Sequence, residues 1–280
     1  MFKFLMILTV LTSQSWAKSV DLRSDMSAIR YQGDRNTCSV FAATSLMEFL
    51  IKKTTGQALD LSEQYNYWSA KQNVLTNNTL QFYAHVDGLA GFLAVDGYKY
   101  GSALETEWTY ADKSPFQLNE PQCINTNQPD STCFTGTPPA NMKTLPYTIK
   151  PISIEREKIG EFILQKKLPV VMNIKWCYSA VDKNGDYRMP TEAELSQCAG
   201  HVITLVGYDS DLKRFIFRNS WGTTWGNQGY GTIPEEYIVK HCEVCENLKF
   251  LDQYNAEEKE MILKSSRGTS GSLLTSGKAQ

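Results

Sequence analysis

The chain changes character about half-way along, and this change limits the folds that are open to it. Residues 39–53 carry apolar side chains at helical spacing, and Ser62 is placed to cap a second helix. Beyond residue 167 the runs "LPVVMNIKW", "HVITLVGYD" and "RFIFRNSW" are rich in β-branched and aromatic residues. A helical first half followed by a strand-rich second half predicts an α+β protein with two lobes and a cleft between them.

Length and charge agree with this architecture. The chain has 280 residues, enough for one large domain or for two lobes around a shared cleft. The formal net charge is −2 at pH 7. A chain with so small a net charge has no strong basic field to attract nucleic acid or an anionic membrane surface. Neither is therefore predicted as a partner.

The first seventeen residues have the features of a signal peptide. A positive Lys3 precedes the apolar run 4–11, and Ser15 and Ala17 have the spacing of a cleavage site after Ala17. The apolar run is too short to span a bilayer, and the alternative is a retained lipid-facing anchor. We therefore expect an exported protein, secreted or periplasmic, with no membrane attachment once the signal is removed.

Three further segments have distinct patterns. Residues 88–100 predict a helix in a glycine-rich setting. Residues 112–147 hold six of the ten prolines and predict a long irregular surface segment. Residues 246–280 predict a C-terminal extension, and its Gly/Ser-rich tail from residue 265 is typical of disorder.

Cysteine pairing singles out one thiol. Export favours disulfides, and proximity along the chain favours the pairs Cys123–Cys133, Cys177–Cys198 and Cys242–Cys245. The seventh cysteine, Cys38, is then unpaired, although an intermolecular bridge would also use an odd cysteine. Cys38 lies in "QGDRNTCSVF", directly before the first helical pattern, and is a packed thiol, half of a disulfide or a nucleophile.

A nucleophilic thiol needs several partners. The N-terminus of a helix and an imidazolium lower the pKa of a thiol, and catalysis also needs a base, a group that orients it and donors for an oxyanion. The chain has three histidines, of which His201 begins a strand-like run and Asn219 follows it in "NSWGTTWGNQGYG". A strand, turn and strand of this length bring the two side chains together. Taken singly, His201 is typical of a core histidine and Asn219 of a turn.

These motifs, in this order, resemble those of the papain-like cysteine peptidases. The match joins Gln32, Cys38 and Phe41, the strand "HVITLVGYD", and "NSWGTTWGNQGYG" almost residue for residue. "VDLRSDMSAIRYQG" is similar to the start of a mature enzyme of this family, and "DLSEQY" to its second helix. The resemblance extends from about Val20 to Tyr237. It implies a two-lobe α+β fold with a helical N-terminal lobe and an antiparallel, β-barrel-like C-terminal lobe.

The resemblance also implies roles for single residues. Cys38 would be the thiolate nucleophile, and His201 its imidazolium partner and general acid. Asn219 would orient the His201 ring, and Trp221 would shield that hydrogen bond from water. The Gln32 side chain and the Cys38 backbone N–H would form an oxyanion hole. The implied reaction is hydrolysis of a polypeptide substrate through a thioester, with no metal and no cofactor. The implied lining of the substrate groove is Asp87, Gly88, Gly200 and Trp221.

The resemblance further implies a domain layout. The peptidase domain would occupy residues 18–245, with the helical lobe at about 25–110 and the β-rich lobe at about 145–240. The mature-like "VDLRS" begins two residues after the expected signal cleavage, which leaves no room for the family's N-terminal propeptide. We therefore expect any inhibition to come from a protein inhibitor, from the C-terminal tail or from the compartment, and we expect a monomer.

The sequence departs from the family pattern at a disulfide. Arg35 stands where the family has a cysteine three residues before the nucleophile, and His85 stands at the place of its partner. Asp87 and Gly88 replace a glycine pair in the cleft wall, and Ser39 replaces a tryptophan. With Arg35 and His85 near the cleft, acidic or polar substrate side chains are expected there. The separation of 163 positions from Cys38 to His201 indicates an insertion at 178–197.

Other interpretations stay open from sequence. An inactive papain-like scaffold that binds peptides or a partner, or a transpeptidase or amidase using the same thiol, fits the same motifs. "HCEVC" at 241–245 is either a disulfide or half of a zinc site. "NNT" at 77–79 is a glycosylation sequon, meaningful only in a eukaryotic secretory pathway.

Overall fold

The computed structural model describes residues 18–76, 80–148, 151–241 and 249–251. The first half of this part of the chain is helical. Its α-helices are α1 (Cys38–Thr55), α2 (Glu63–Leu75), α3 (Gly91–Asp96) and the single turns α4 (Pro121–Ile124) and α5 (Thr132–Thr135). The helices that follow are α6 (Ile159–Lys166), α7 (Glu192–Leu195) and α8 (Glu235–His241).

Helices α1 and α2 confirm the sequence prediction and show why it succeeds. Helix α1 is buried from Ser39 to Ile51 and ends at Gly56, which adopts a left-handed conformation with φ of 77°. Helix α2 is capped by Ser62, whose hydroxyl accepts a hydrogen bond from Tyr65 N at 2.9 Å. A glycine sets one boundary and a capping serine sets the other, and both residues can be recognised in the sequence.

The second half is built around an antiparallel sheet. The strands are β1 (Ser19–Asp21), β2 (Pro151–Ser153), β3 (Val170–Trp176), β4 (Ala199–Asp209), β5 (Arg214–Arg218), β6 (Tyr230–Pro234) and β7 (Lys249–Leu251). Strand β4 is the centre: β1 and β3 pair with its two ends, and β5 lies on its other side and pairs with β6. Strands β2 and β7 form a separate pair.

The two lobes meet where α1 crosses β4. One face of β4 places Val202 and Val206 in a core that α1 shares, and the other face places Ile203 and Leu205 among side chains of the β lobe. Thr204 Oγ1 donates to the carbonyl of Ala42 at 3.2 Å. This bond joins the first turns of α1 to the middle of β4, and the starts of both elements, Cys38 and Ala199, line one cleft.

Two segment predictions need correction. Over residues 88–100, the helix starts only at Gly91, because Gly88 has a φ of 95° and Ala90 is extended. Gly91 also lies so close to β3 that a Cβ there would stand 2.6 Å from Asn173 Oδ1. The segment 112–147 is not wholly a surface loop, since Phe134 and Tyr147 are buried. Its aromatic residues find partners in the core, which its proline content does not reveal.

The cysteines follow the proximity argument as far as the structure describes them. Disulfides join Cys123 to Cys133 and Cys177 to Cys198, and Cys38 is a free thiol. The predicted Cys242–Cys245 pair, the sequon at 77–79, the signal peptide and the tail lie outside the described residues. Within the described ranges, no helix has the length and apolar character needed to cross a bilayer.

Candidate active site

A cleft of about 510 Å³ lies between the lobes. Its lining includes seven of the eight residues that the sequence singled out: Gln32, Cys38, Asp87, Gly88, Gly200, His201 and Trp221. The eighth, Asn219, lies beneath the surface of the cleft and is 3% exposed. The fold therefore brings together side chains that lie far apart in the sequence.

The His201 ring is held by Asn219. The distance from His201 Nε2 to Asn219 Oδ1 is 2.9 Å, and Asn219 Oδ1 also accepts a hydrogen bond from the backbone N–H of Ser220. The Asn219 atom that accepts from Ser220 is an amide oxygen, which has no hydrogen to donate. The ring nitrogen must therefore be the donor in its own bond to this oxygen, so His201 Nε2 carries a proton. In the neutral ring, Nδ1 then keeps its lone pair and is free to take a proton.

Aromatic rings enclose the bond between His201 and Asn219. Trp221 stacks on the His201 ring with 4.7 Å between centroids, and Trp176 contacts the same ring edge-on at 5.1 Å. Tyr178 stacks on Trp221 at 6.0 Å. Because this surround is apolar, water is kept from the hydrogen bond, and the ring has little room to turn.

Cys38 is the first residue of α1, with Thr37 at the N-cap position. The first intrahelical bonds in α1 run from Val40 N and Phe41 N to Thr37 O. The N–H groups of the first helical residues have no intrahelical partner, so the Cys38 N–H is available at the cleft. The positive end of the helix dipole lies at the same place.

Gln32 is fixed beside this helix start. Its Nε2 donates to Arg35 O at 2.7 Å, and its Oε1 accepts from Ser220 Oγ at 2.6 Å. Its backbone N–H also donates to Ser220 O at 2.9 Å. An amide nitrogen has two hydrogens, and only one is used by Arg35, so the second remains available to a group in the cleft.

Burial dominates the ionisation of the thiol and of the imidazole. It raises the pKa of Cys38 to about 11, against backbone hydrogen bonds from Val202, Ser39 and Cys38 itself that lower it. It lowers the pKa of His201 to about 4, against the Asn219 hydrogen bond that raises it. Either charge alone is therefore disfavoured here, while a thiolate and an imidazolium formed together offset one another.

Three further residues of the cleft lining were not predicted from the sequence. Tyr178 follows the disulfide-bonded Cys177 and stacks on Trp221, and Asn173 on β3 accepts a hydrogen bond from Gly91 N at 2.8 Å. Leu89 adds an apolar surface. In the sequence, Asn173 interrupts the apolar run "LPVVMNIKW", and a polar residue in such a run is the signal that marks it.

Comparison with known proteins places the chain in a family. The model of the papain family cysteine protease matches residues 16–250. The chain belongs to the papain family of cysteine proteases. An aleurain-like thiol protease of Arabidopsis thaliana is 26% identical over 220 residues, covering 75% of this chain and 53% of that protein. Chymopapain of Carica papaya is 25% identical over 228 residues, covering 79% and 56%.

Solved structures agree on the fold. Xylellain, a cysteine protease from Xylella fastidiosa, has a TM-score of 0.64 at 22% identity, covering 81% of this chain and 82% of that one. A Carica candamarcensis cysteine protease in complex with E-64 has a TM-score of 0.56 at 20% identity, covering 85% and 100%. The two-lobe α+β papain fold is thereby confirmed. This chain spans little more than half the length of the two plant proteins above.

Arg35 does not face the cleft, which corrects the expectation drawn from its position. It is 1% exposed. Its guanidinium donates to Gln64 Oε1 at 3.0 Å and to the carbonyls of Ala111 and Phe134, each at 2.6 Å. The Tyr110 ring centroid lies 4.9 Å from its Cζ. The side chain turns inward because the interior supplies oxygen acceptors and rings, which sequence position alone does not show.

His85 is also away from the cleft lining. It is exposed, and its Nδ1 lies 3.0 Å from Pro129 O. The disulfide of the family pattern is therefore replaced by other contacts, and neither Arg35 nor His85 offers a positive charge to a substrate. The expectation of acidic or polar substrate side chains, which was drawn from Arg35 and His85, loses its basis.

A buried lysine fixes the cleft wall instead. Lys71 on α2 donates to three carbonyls of one loop: Tyr83, Val86 at 2.6 Å and Gly88 at 3.2 Å. Its Nζ also lies 5.2 Å from the Tyr67 ring centroid. All three carbonyls belong to residues that line the cleft. Lys71 thus joins the second helix to the wall that a disulfide would otherwise restrain.

We expect Lys71→Met to change how stability depends on pH. Burial lowers the pKa of Lys71 to about 7, while the Asp87 carboxylate raises it. An unfolded lysine holds its proton to about pH 10. Between these values the unfolded chain binds more protons, so wild-type stability rises with pH relative to Lys71→Met. The slope reaches at most about 1.4 kcal/mol per pH unit.

The measurement is urea unfolding of both proteins from pH 6 to 9.5, with exposed Lys183→Met as the control for loss of a surface charge. Among nearby groups, Tyr67 has a strongly raised pKa through burial and does not titrate in this range. Free-energy differences between wild type and Lys71→Met that stay constant across the range would refute this account of Lys71.

Proposed function

We propose that this protein is an exported cysteine peptidase that hydrolyses peptide bonds through Cys38, His201 and Asn219. One observation carries the proposal: His201 is bonded to Asn219 at 2.9 Å and lines the same cleft as the free thiol of Cys38. In an oxidising compartment, where the other described cysteines are paired, a lone thiol at a helix N-terminus supports a nucleophile.

The first half of the reaction acylates the enzyme. His201 Nδ1 takes the proton of Cys38, and the thiolate attacks the peptide carbonyl carbon. The tetrahedral intermediate collapses as its C–N bond breaks, and the His201 imidazolium gives its proton to the departing amine. A thioester on Cys38 remains. Asn219 keeps the ring in the tautomer that these two transfers need.

The developing oxyanion needs donors that are already in place. The free Gln32 Nε2 hydrogen and the Cys38 backbone N–H both reach the cleft, and the dipole of α1 adds positive potential there. Gln32 loses little freedom when substrate binds, because Arg35 O and Ser220 Oγ already hold its amide. A water molecule then gives a proton to His201 and attacks the thioester carbon. The C–S bond breaks, the acid product leaves, and Cys38 departs as a thiolate that regains its proton from His201.

Regulation and layout form part of the same proposal. Residues 1–17 would be removed on export, residues 18–245 would form the peptidase domain, and residues 246–280 would form a C-terminal extension that acts as a regulator. A protein inhibitor is the other regulator we propose. The substrate is a polypeptide, and no metal takes part in the steps above.

The test is cleavage of a mixed peptide library by the reduced protein, with products identified by mass spectrometry and with Cys38→Ala as the control. Peptide fragments that wild type makes and Cys38→Ala does not would support the proposal. Added amine acceptors distinguish hydrolysis from transpeptidation, since a transpeptidase joins them to the acyl fragment. A folded wild-type protein that binds peptides and cuts none would establish the inactive scaffold instead.

A further inference from the structure

The cleft is lined almost wholly by uncharged groups. Among the described residues that line it, Asp87 alone carries a full charge while His201 is neutral. The remaining lining is apolar, aromatic or amide in character. A charged substrate side chain that enters the cleft therefore meets one formal charge among these lining residues, the carboxylate of Asp87.

The Asp87 carboxylate is held in one orientation. Its Oδ1 accepts from Tyr67 Oη at 2.8 Å, and its Oδ2 accepts from the backbone N–H of Asn36 at 3.1 Å. Tyr67 is fully buried and its hydroxyl also accepts from Gly88 N at 2.8 Å. Each carboxylate oxygen has a second lone pair that these bonds leave unused.

The buried cations nearby do not occupy that capacity. Lys71 Nζ is directed to three loop carbonyls, and the Arg35 guanidinium to Gln64 and two other carbonyls. Within the described ranges, neither makes an ion pair of 4 Å or less with Asp87. Asp87 is close enough to raise the pKa of Lys71, but neither cation occupies the second lone pairs of its carboxylate, which stay open to a cation that enters from the cleft.

We propose that Asp87 is a specificity-determining residue that selects peptides with a lysine or arginine close to the scissile bond. This rests on the peptidase function proposed above. Position supports it, since Asp87 is bonded to Asn36, which lies two residues before Cys38. Asp87 is also close enough to Cys38 to raise the pKa of the thiol, so a side chain that reaches Asp87 belongs to a residue within a few positions of the carbonyl that Cys38 attacks. The preference is the reverse of the one that the positions of Arg35 and His85 suggest.

The test uses peptides that differ only in charge. Arginine and citrulline have almost the same shape, and each is placed in turn at the three positions before the scissile bond. At one of them we expect wild type to prefer arginine in kcat/KM by about tenfold, and Asp87→Asn to reduce that ratio to about twofold. The preference should weaken as NaCl is raised, because salt screens charge.

Asp34→Asn is the matched control, since Asp34 is exposed, four residues before Cys38, and outside the cleft lining. Its arginine-to-citrulline ratio should equal that of wild type. The same ratio in Asp87→Asn as in wild type, or no arginine preference at any position, would overturn the proposal.

A binding measurement separates this inference from the proposed function. Fluorescence anisotropy of labelled arginine and citrulline peptides, measured with Cys38→Ala and with Cys38→Ala/Asp87→Asn, reports on the cleft without turnover. Preferential binding of arginine that is lost in the double variant supports the role of Asp87 even if wild type cleaves nothing. Cleavage without any charge preference refutes the role of Asp87 and leaves the peptidase function intact.

Discussion

His201→Ala is expected to lower kcat/KM for peptide hydrolysis by about 10⁴-fold at pH 7. Burial raises the pKa of Cys38 to about 11. Without a base beside it, such a thiol is ionised in about one molecule in 10⁴ at pH 7. Loss of His201 also removes the acid that protonates the leaving amine. The decrease in kcat/KM should therefore be at least about 10⁴-fold.

Asn219→Ala provides a graded comparison. It removes the oxygen that accepts the hydrogen bond from His201 Nε2–H, but it leaves the ring stacked on Trp221 and in contact with Trp176. We expect a smaller loss, of about 10- to 100-fold, because the ring keeps its place and loses only its preferred tautomer. Retention of more than a tenth of wild-type kcat/KM by His201→Ala would contradict the proposed mechanism.

Arg35→Met is expected to reduce the free energy of unfolding by about 2–5 kcal/mol, since each buried acceptor left without a donor costs about 1–3 kcal/mol. The substitution keeps an unbranched apolar stem but removes the donors for Gln64, Ala111 and Phe134. Gln64 Oε1 keeps a hydrogen bond from Ala111 N, but the buried carbonyls of Ala111 and Phe134 lose their donor, which costs more than the desolvation of the guanidinium saves. The segment that contains Phe134 also loses its connection to the loop before α1.

Arg23→Met is the control for this change. Arg23 forms an exposed ion pair with Asp21 at 2.7 Å, and such pairs contribute about 0–1 kcal/mol. Urea unfolding of the three proteins at one pH measures both effects. If Arg35→Met loses no more unfolding free energy than Arg23→Met, the buried hydrogen bonds of Arg35 do not replace the missing disulfide.

The sequence predicts those features that depend on local chemistry. Ser62 as a cap, α1 beginning beside Cys38, and the disulfides closed over short loops all follow from neighbouring residues. The motifs around His201 and Asn219 predict their meeting because a strand, a turn and a strand bring the two together. The cleft itself follows from the joint presence of helices and strands.

The sequence does not predict the direction in which a side chain points. Arg35 lies three residues before Cys38 and turns away from the cleft, because Gln64 on α2 and two distant carbonyls accept its hydrogen bonds. Tyr178 lines the cleft because the Cys177–Cys198 disulfide and the Trp221 ring place it there. Partners of this kind are brought close only by the tertiary fold.

The most direct test of the account measures whether His201 activates the Cys38 thiol. Reduced wild type and His201→Ala are each treated with iodoacetamide at pH 7, and mass spectrometry follows the adduct on Cys38 over time. The account predicts one adduct on Cys38 in wild type, formed far faster than on an ordinary thiol and almost lost in His201→Ala. Equal labelling rates in the two proteins would show that the thiol and the imidazole do not act as a pair, and would contradict the peptidase mechanism.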